Sequence, residues 1–264
     1  MGVLNVTPDS FAESAPFADA GSAVEAALRM VDEGADLIDV GGESTRPGAR
    51  PVPADEEARR VLPVVRALAA RLTVPLSVDT TKAAVAREAL VEGAAIVNDI
   101  SALGYDPELG GVVARAGAGL VLMHMRGRPA EMYAAADYVN VMGEVARELH
   151  DRIEAAIAAG IARDRIILDP GVGFAKRPAD SYGVLARLPE LAAVLDRPIL
   201  VGPSRKSFMR AALMGRPASE RDWGTAAAVT ASVLGGAHIV RVHAVGPMAQ
   251  VVKVADEIRS AWSD

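Results

Sequence analysis

Polar or ionisable residues follow a series of short apolar runs along this chain, each at the carboxyl end of its run. In chain order the runs lead to Thr7, Glu43, Asp79, Asn98, His124, Asp169, Ser204 and His243. A stretch with helical periodicity follows each run, so a β-then-α unit repeats eight times. Eight such units close into a (β/α)8 barrel, whose active site forms where the C-terminal ends of the strands meet. The sequence therefore predicts an α/β fold, a single TIM barrel, with its chemistry at the top face.

The size and composition of the chain fit one such domain. Its 264 residues, with 51% hydrophobic content, are enough for one large core, and no low-complexity linker divides them. Only 4% of the residues are aromatic, so the core must be packed by Val, Ile, Leu and Ala, as inside a barrel. We therefore expect a single domain over residues 1–264.

Charge and cysteine content exclude several classes of partner and site. The formal net charge of −6 argues against a nucleic-acid partner, because binding to phosphate backbones takes clustered Lys and Arg. The absence of cysteine rules out disulfides and thiolate metal sites and fits a reducing compartment. The sequence contains no signal-peptide pattern and no uninterrupted apolar stretch long enough for a membrane span. We therefore expect a cytoplasmic protein without a membrane partner.

Three predicted connections are longer than most βα loops. They follow strands 1, 2 and 5, run from Thr7 to Ser22, Gly41 to Asp55 and Met125 to Asn140, and are rich in Pro, Gly and small polar residues. Long loops at the top of a barrel are usually substrate lids or binding loops. The alternative is a tolerated insertion.

Two carboxylates and an amide are predicted to converge at the barrel mouth. Asp79, Asn98 and Asp169 each close an apolar strand, so their side chains would point into one small cavity. Such a set can hydrogen-bond a flat heterocycle that carries several N–H donors and a carbonyl. The alternative is that each residue caps the following helix, which Asp and Asn favour.

A second set of residues suits an anion. Asn5, Arg46, Arg241 and His243 follow strands 1, 2 and 8, which are neighbours in a closed barrel. Arg241 and His243 are two positions apart on a strand and so share one face. Guanidinium groups match phosphate oxygens, and strand 8 is where barrels often hold phosphate. The alternative is an exposed arginine paired with a glutamate.

The segment Ser204-Arg205-Lys206-Ser207 follows strand 7, and we expect it at the start of a helix. Lys206 could be a Schiff-base nucleophile, a charge partner for a bound ring, or a solvated cation. Periodicity does not separate these three roles.

Eight segments of the chain, in order, resemble the dihydropteroate synthase family. They are MGVLNVTPDSF, GGESTRPGA, SVDT, NDIS, MHMRGRPAEM, LDPGVGFAK, SRKSF and RVH. The combination of NVTPDSF, ESTRPG and SRKS is highly specific, and the resemblance covers essentially the whole chain. It implies a (β/α)8 barrel and a homodimer. It also implies a transferase that condenses 6-hydroxymethyl-7,8-dihydropterin diphosphate with 4-aminobenzoate, giving 7,8-dihydropteroate and pyrophosphate for folate biosynthesis.

The resemblance also implies site residues. Asn5 would be the protein ligand of Mg²⁺, the implied cofactor, and Phe11 would belong to a first mobile loop. The residues implied to hold the dihydropterin diphosphate are Thr45, Asp79, Asn98, Met123, Asp169 and Lys206, with Arg241 and His243 in its anion pocket. Those implied near 4-aminobenzoate are Arg46, Pro47, Phe174 and Ser207. The residues expected to contribute to catalysis are Asp79, Asp169, Lys206, Arg241 and His243.

The mechanism implied is a dissociative, SN1-like displacement. Mg²⁺ and the anion pocket would stabilise the departing pyrophosphate, and Asp79 and Asp169 would supply negative charge near a pterin methylene cation. Two positions depart from the family pattern, Ala244 where an aspartate often follows RVH, and Ala175 in place of the second glycine of GFGK. The intact ESTRPG and NVTPDSF loops imply inhibition by sulfonamides, which mimic 4-aminobenzoate.

Three alternative functions remain at this point. A pterin-dependent methyltransferase would present a similar Asp, Asn and Asp set to a folate ring but would not need a diphosphate pocket. An aldolase would use Lys206 to form a Schiff base. A non-catalytic or diverged pterin-binding paralogue would bind without turnover, and Ala244 is the one feature that favours it.

Overall fold

Eight parallel strands form the centre of the described part of the chain. The computed structural model describes residues 1–6, 20–46, 48–134 and 136–262. The strands are β1 (Gly2–Asn5), β2 (Ile38–Gly41), β3 (Leu76–Asp79), β4 (Ile96–Asp99), β5 (Gly119–Met123), β6 (Ile166–Asp169), β7 (Leu200–Val201) and β8 (Ile239–Val240).

The strands close into a barrel in sequence order. Strands β1 to β6 form one parallel sheet, and β7 pairs with β8. Single bridges between Gly2 and Val242 and between Leu168 and Ile199 join these two pieces. At the first seam, the Val242 N–H donates to the Met1 carbonyl at 3.0 Å. The predicted (β/α)8 barrel is confirmed.

Amphipathic helices surround the strands. Those described are α1 (Ala20–Asp32), α2 (Ala54–Ala69), α3 (Ala83–Val91), α4 (Leu109–Ala116), α5 (Val141–Ala158), α6 (Pro178–Ala186), α7 (Leu188–Leu195), α8 (Asp222–Leu234) and α9 (Val245–Ser260). In α2, for example, Val61, Val65 and Leu68 are buried at helical spacing. None of the helices in the described ranges combines the length and the apolarity needed to cross a membrane.

Side chains of successive strand residues point alternately out of and into the barrel. This alternation gives an apolar layer outside the barrel, an apolar layer inside its lower part, and a polar layer inside its upper part. Residues such as Leu4, Ile38 and Leu168 face the helices and belong to the large core between sheet and helices. A smaller cluster around Val121 and Leu200 fills the lower part of the barrel. Because side chains alternate along a strand, the next inward positions toward the C-terminal ends lie above this cluster. Those positions hold the polar residues of the candidate site.

The connection after β7 differs from the sequence prediction. The expectation that Ser204-Arg205-Lys206-Ser207 begins a helix is wrong, because the 3-10 turn Ser207–Met209 follows Lys206 and α8 begins only at Asp222. Arg205 has a positive φ of 58°, which no helix accepts. Its guanidinium pairs with Asp222 at 2.7 Å, and Arg221 donates to the Arg205 carbonyl at 3.1 Å. These contacts hold a fourth long top-face connection that sequence reasoning missed.

The long connections predicted after β2 and β5 are present. They run from Gly42 to Pro53 and from His124 to Asn140, with Pro47 and residue 135 outside the described residues. The connection predicted after β1 stays untested, because residues 7–19 lie outside the described ranges.

We predict that Gly171→Ala destabilises the fold much more than Gly117→Ala. The two glycines have similar positive φ values, 66° and 62°. A Cβ at Gly171 would overlap the His124 carbonyl oxygen, whereas one at Gly117 would meet nothing within 4 Å. We expect a loss of about 1–2 kcal/mol in the free energy of unfolding at Gly117 and about 2–5 kcal/mol at Gly171. Urea unfolding measures both, and equal losses would contradict the close approach at Gly171.

Candidate active site

The residues predicted at the strand ends lie together at the top of the barrel. Parallel register places Asn5 beside Gly41, Gly41 beside Asp79, and Asp79 beside Asn98. Further round, Met123 on β5 lies beside Asp169 on β6. The two carboxylates and the amide therefore lie around the mouth of the barrel, the cavity of the candidate site, and they do not act as side-chain caps of the helices that follow.

Arg241 connects three strands within this cavity. Its Nε donates to Asp39 at 2.6 Å, and one terminal nitrogen donates to Asp79 at 2.8 Å. The arginine is thus neither exposed nor paired with a glutamate, the alternative that the sequence left open. These bonds use two of the five N–H donors of a guanidinium, so others remain for a ligand. Burial raises the pKa of Asp79, while Arg241 acts in the opposite direction.

Asp39 is a central residue that sequence reasoning missed. It lies in the middle of β2, is fully buried, and also accepts a hydrogen bond from the Asn98 side-chain amide at 3.0 Å. Its second carboxylate oxygen, Oδ1, is buried without a partner among the described residues. The signal was a charged residue inside the apolar run LIDV, since buried carboxylates are rare unless they are paired.

Asp169 and Lys206 form the opposite wall. A Cβ placed on Gly202 would lie 3.9 Å from Asp169 Oδ2 and 3.8 Å from Lys206 Nζ, so both groups flank this glycine. Lys206 donates to the Val172 carbonyl at 2.6 Å and lies 4.2 Å from the centre of the Phe174 ring. Burial lowers the pKa of Lys206 to about 8, against the effect of Asp169. Burial also raises the pKa of Asp169.

His243 lies beside Arg241 and is fixed by a serine. Its Nδ1 is 2.9 Å from the Ser204 hydroxyl, which also accepts from the His243 backbone N–H at 3.2 Å. Burial lowers the pKa of His243 to about 3, and the charges of Arg241, Arg205 and Arg46 act in the same direction. The ring is therefore neutral at physiological pH. Arg46, on the β2 connection, is exposed.

An oxygen-lined space lies above Gly41. A Cβ on this glycine would be 3.6 Å from Asp79 Oδ2 and 3.7 Å from Asn5 Oδ1. In the described ranges, no cluster of three or more His, Cys, Asp or Glu residues could hold a metal ion. A single amide oxygen next to a carboxylate suits Mg²⁺, which keeps several waters and takes further oxygens from a substrate. The donor set fits this ion, and the described residues supply no dedicated all-protein cage for it.

A cavity of about 270 Å³ adjoins Asp79 on the side of the β2 connection. Thr45 lines it, as do Lys82 and the buried Glu57. Lys82 donates to both Glu57 and Glu43, and Glu43 lies at the base of the β2 connection. Burial raises the pKa of Glu57. This ion cluster, which sequence reasoning also missed, fixes the start of the segment that carries Thr45 and Arg46.

Ser207 lies at the outer edge of the cavity. Its hydroxyl is 2.9 Å from that of Tyr133, which connects the β7 connection to the β5 connection. Two residues implied by the resemblance, Phe11 and Pro47, lie outside the described residues. The ligand assignments of all the site residues stay predictions. Of those that the structure describes, Asn5, Asp79, Asn98, Asp169 and Lys206 lie at the top of the barrel with Arg241 and His243.

Comparisons with known proteins agree with this geometry. Residues 1–243 match the family described as pterin binding enzyme. The chain is 46% identical over 258 residues to a dihydropteroate synthase of Synechocystis, covering 98% of this chain and 89% of that protein.

Two solved structures have the same fold over nearly the whole chain. The Yersinia pestis dihydropteroate synthase, in a sulfonamide drug complex, has a TM-score of 0.94 and 43% identity, covering 98% of this chain and 94% of that one. The Xanthomonas albilineans enzyme in complex with 7,8-dihydropteroate has a TM-score of 0.87 and 40% identity, covering 98% of this chain and 92% of that one. The chain therefore belongs to the pterin binding enzymes and, within them, to the dihydropteroate synthases.

Proposed function

We propose that this transferase condenses 6-hydroxymethyl-7,8-dihydropterin diphosphate with 4-aminobenzoate, forming 7,8-dihydropteroate and pyrophosphate. The observation that supports the proposal most strongly is that a set of ring-binding groups and a set of anion-binding groups lie next to each other at the barrel mouth. Asp79, Asn98 and Asp169 offer acceptors and an amide to a flat ring, and Arg241 and His243 lie beside them for an anionic tail. A product complex of the Xanthomonas albilineans relative supports the same chemistry.

The ring would be recognised mainly by buried hydrogen-bonding groups. Carboxylates of Asp79 and Asp169 accept from ring N–H groups, and the Asn98 amide both donates and accepts. The Lys206 ammonium would face the ring carbonyl, a role as charge partner that its burial and the nearby charge of Asp169 favour over a solvated cation. Met123 and Thr45 would supply apolar and hydroxyl contacts at the edge of the ring.

Mg²⁺ is the proposed cofactor, with Asn5 as its protein ligand. When bound, it would neutralise charge on the diphosphate oxygens. The oxygens of Asn5 and Asp79 around the space above Gly41 support this assignment.

In the proposed reaction, the bond between the pterin methylene carbon and the diphosphate oxygen breaks largely before attack. The electron pair leaves with pyrophosphate, where Arg241 stabilises the developing charge and the neutral His243 can donate one hydrogen bond. The methylene cation is delocalised into the pterin, close to the negative charges of Asp79 and Asp169. The amine of 4-aminobenzoate then forms the new C–N bond and releases a proton. No general base is required, because a neutral aryl amine is already nucleophilic.

The 4-aminobenzoate subsite is proposed at the outer edge of the cavity. The Phe174 ring lies 4.2 Å from Lys206 Nζ, Ser207 directly follows Lys206 in the chain, and Arg46 is assigned there by the resemblance. Pro47 is assigned there by the resemblance alone. A sulfonamide complex of the Yersinia pestis relative supports inhibition of this protein by that class of drug.

Three finer assignments complete the proposal. Residues 1–264 form one domain, the protein is a homodimer, and it works in the cytoplasm. Sedimentation of the purified protein tests the dimer directly.

The alternatives give different outcomes in two assays. The purified protein is mixed with dihydropterin diphosphate, 4-aminobenzoate and Mg²⁺, and pyrophosphate is measured. A non-catalytic paralogue would bind the pterin without releasing pyrophosphate. A pterin-dependent methyltransferase would instead be active in a corrinoid-dependent assay. The anion-binding wall at Arg241 favours the synthase, because a methyltransferase needs no diphosphate pocket.

Replacing Asp79 by Ala is expected to abolish measurable turnover. Its carboxylate holds Arg241 and supplies negative charge next to the proposed cation, and loss of one such group typically lowers kcat by about a hundredfold or more. Pyrophosphate release measures the effect. Asp164→Ala, an exposed aspartate in the turn before β6, is the control and is expected to behave as wild type. Normal kinetics in the Asp79 variant would refute its role.

Asp39→Asn is expected to lower kcat/KM for the pterin substrate by up to about a hundredfold, because misplacing Arg241 and Asn98 disturbs both walls of the cavity. Asparagine keeps the size of the side chain but removes the charge that Arg241 Nε contacts. The exposed Asp36, three residues earlier, is the matched control as Asp36→Asn. Equal kinetics of the two variants would show that Asp39 is dispensable.

The value of kcat/KM is expected to fall as the pH rises above about 8. Burial lowers the pKa of Lys206 to about 8, so its positive charge is complete below that pH and disappears as the pH rises through it. A profile of kcat/KM reports groups of the free enzyme, and the limb should have a slope of about −1. Lys206→Arg keeps its charge at higher pH and should move the limb upward. A limb that stays near pH 8 in this variant belongs to another group.

A further inference from the structure

A buried lysine lies behind the site, and the proposed reaction does not use it. Lys176 is only 1% exposed. Its Nζ lies 2.8 Å from His124 Nδ1 and 3.2 Å from the carbonyl oxygens of both Gly171 and Phe174. An ammonium has three donors, so these three acceptors satisfy it completely. Burying a lysine is costly, which makes a purely incidental placement unfavourable.

The histidine beside Lys176 connects this buried lysine to a carboxylate that helps to offset its positive charge. Burial lowers the pKa of His124 to about 4, so the ring is neutral. If Nδ1 accepts from Lys176, Nε2 carries the proton and donates to Glu148, which is 2.9 Å away. Arg126 also binds Glu148 and donates to Glu144 at 2.7 Å. Burial lowers the pKa of Lys176 to about 7; the charge of Asp169 opposes this most, and the Glu148 carboxylate adds to it from the other side of the imidazole.

The segment that Lys176 holds has an unusual backbone. Gly171, Gly173 and Ala175 all have positive φ values, of 66°, 80° and 44°. Between the two carbonyls that Lys176 binds lies Val172, whose carbonyl turns toward the cavity and accepts from Lys206 at 2.6 Å. Lys176 therefore fixes the segment on both sides of the group that fixes Lys206.

A tyrosine of the β5 connection supports the same segment. The Tyr138 hydroxyl donates to the Ala175 carbonyl at 2.8 Å. Ala175 is fully buried and is held in a conformation that costs a non-glycine residue about 1–2 kcal/mol. The hydroxyl and the ammonium thus support a strained segment from two elements.

We propose that Lys176 and Tyr138 are positioning residues that set the Val172 carbonyl, and through it the Lys206 ammonium, for binding of the dihydropterin ring. The inference rests on the proposed function, since it assigns how that same site is held in shape. Neither side chain needs to touch the substrate. Their effect on binding is then transmitted by Lys206, whereas a direct effect of the Lys176 charge on Asp169 would persist when Lys206 is replaced.

A double-mutant cycle tests this path. Lys176→Met, Lys206→Met and the double variant are compared with wild type by calorimetric titration with dihydropterin diphosphate, without 4-aminobenzoate. We expect Lys176→Met to weaken binding by about tenfold in the wild-type background and by less than about twofold when Lys206 is already Met. Equal weakening in the two backgrounds, or none in the first, would overturn the inference.

Two further variants keep the result interpretable. Tyr138→Phe removes only a hydroxyl, and it replaces Lys176→Met in the cycle if that variant does not fold. We expect Tyr138→Phe to weaken binding of dihydropterin diphosphate by about three- to fivefold when Lys206 is present. This weakening should vanish when Lys206 is replaced by Met. Val233→Ala, in the core face of α8, controls for general destabilisation and should leave affinity unchanged. A wild-type protein that neither binds nor converts the pterin would overturn the proposed function together with the inference. Wild-type turnover with an additive cycle overturns the inference alone.

Discussion

The contact of Arg241 with Asp39 and Asp79 is the interaction on which the site depends. It joins the end of β8 to β2 and β3 across the seam where the barrel closes at Gly2 and Val242. Buried ion pairs rarely stabilise a fold more than apolar residues of the same size would, because each charge loses its hydration. Such a cluster is therefore best explained by what it presents to a ligand. It keeps a guanidinium rigid and desolvated at the point where an anionic leaving group would accumulate charge.

Most of the architecture could be predicted from the sequence, and most of the site could be located from it. Apolar runs that alternate with helical stripes specify the barrel, and strand ends specify the cavity, so the positions of Asp79, Asn98 and Asp169 in the chain are enough to bring them together. Asp39 could not be assigned in this way, because its role comes from partners 59 and 202 positions away in the chain. The Lys176 contacts are equally non-local, since His124 is 52 positions away. Periodicity carries no information about which distant side chains share a hydrogen bond.

The connection after β7 shows a different limit of the sequence. Serine is a preferred N-cap residue, so this segment is compatible with a helix start, but the positive φ of Arg205 ends any such turn. What holds this conformation is the pairing of Arg205 with Asp222 and the hydrogen bond from Arg221, both residues from the far end of the connection. This conformation positions Lys206, whose backbone is extended after the turn and whose side chain donates to the Val172 carbonyl. Two segments with positive-φ residues, one containing Arg205 and one containing Ala175, therefore position the Lys206 ammonium.

The charges around the cavity also explain why a cation would be needed with the substrate. Asp39, Asp79 and Asp169 line it, against Arg241 and Lys206, while His243 stays neutral because its pKa is lowered to about 3. Even with the pKa values of Asp79 and Asp169 raised by burial, two cations do not balance the Asp39 carboxylate and a diphosphate in a site with little water to screen them. Arg46, at the exposed edge, adds one positive charge where screening is strong. A bound cation would supply the missing positive charge next to the diphosphate. Asn5 and Asp79, whose side-chain oxygens flank Gly41, are the residues that would hold it.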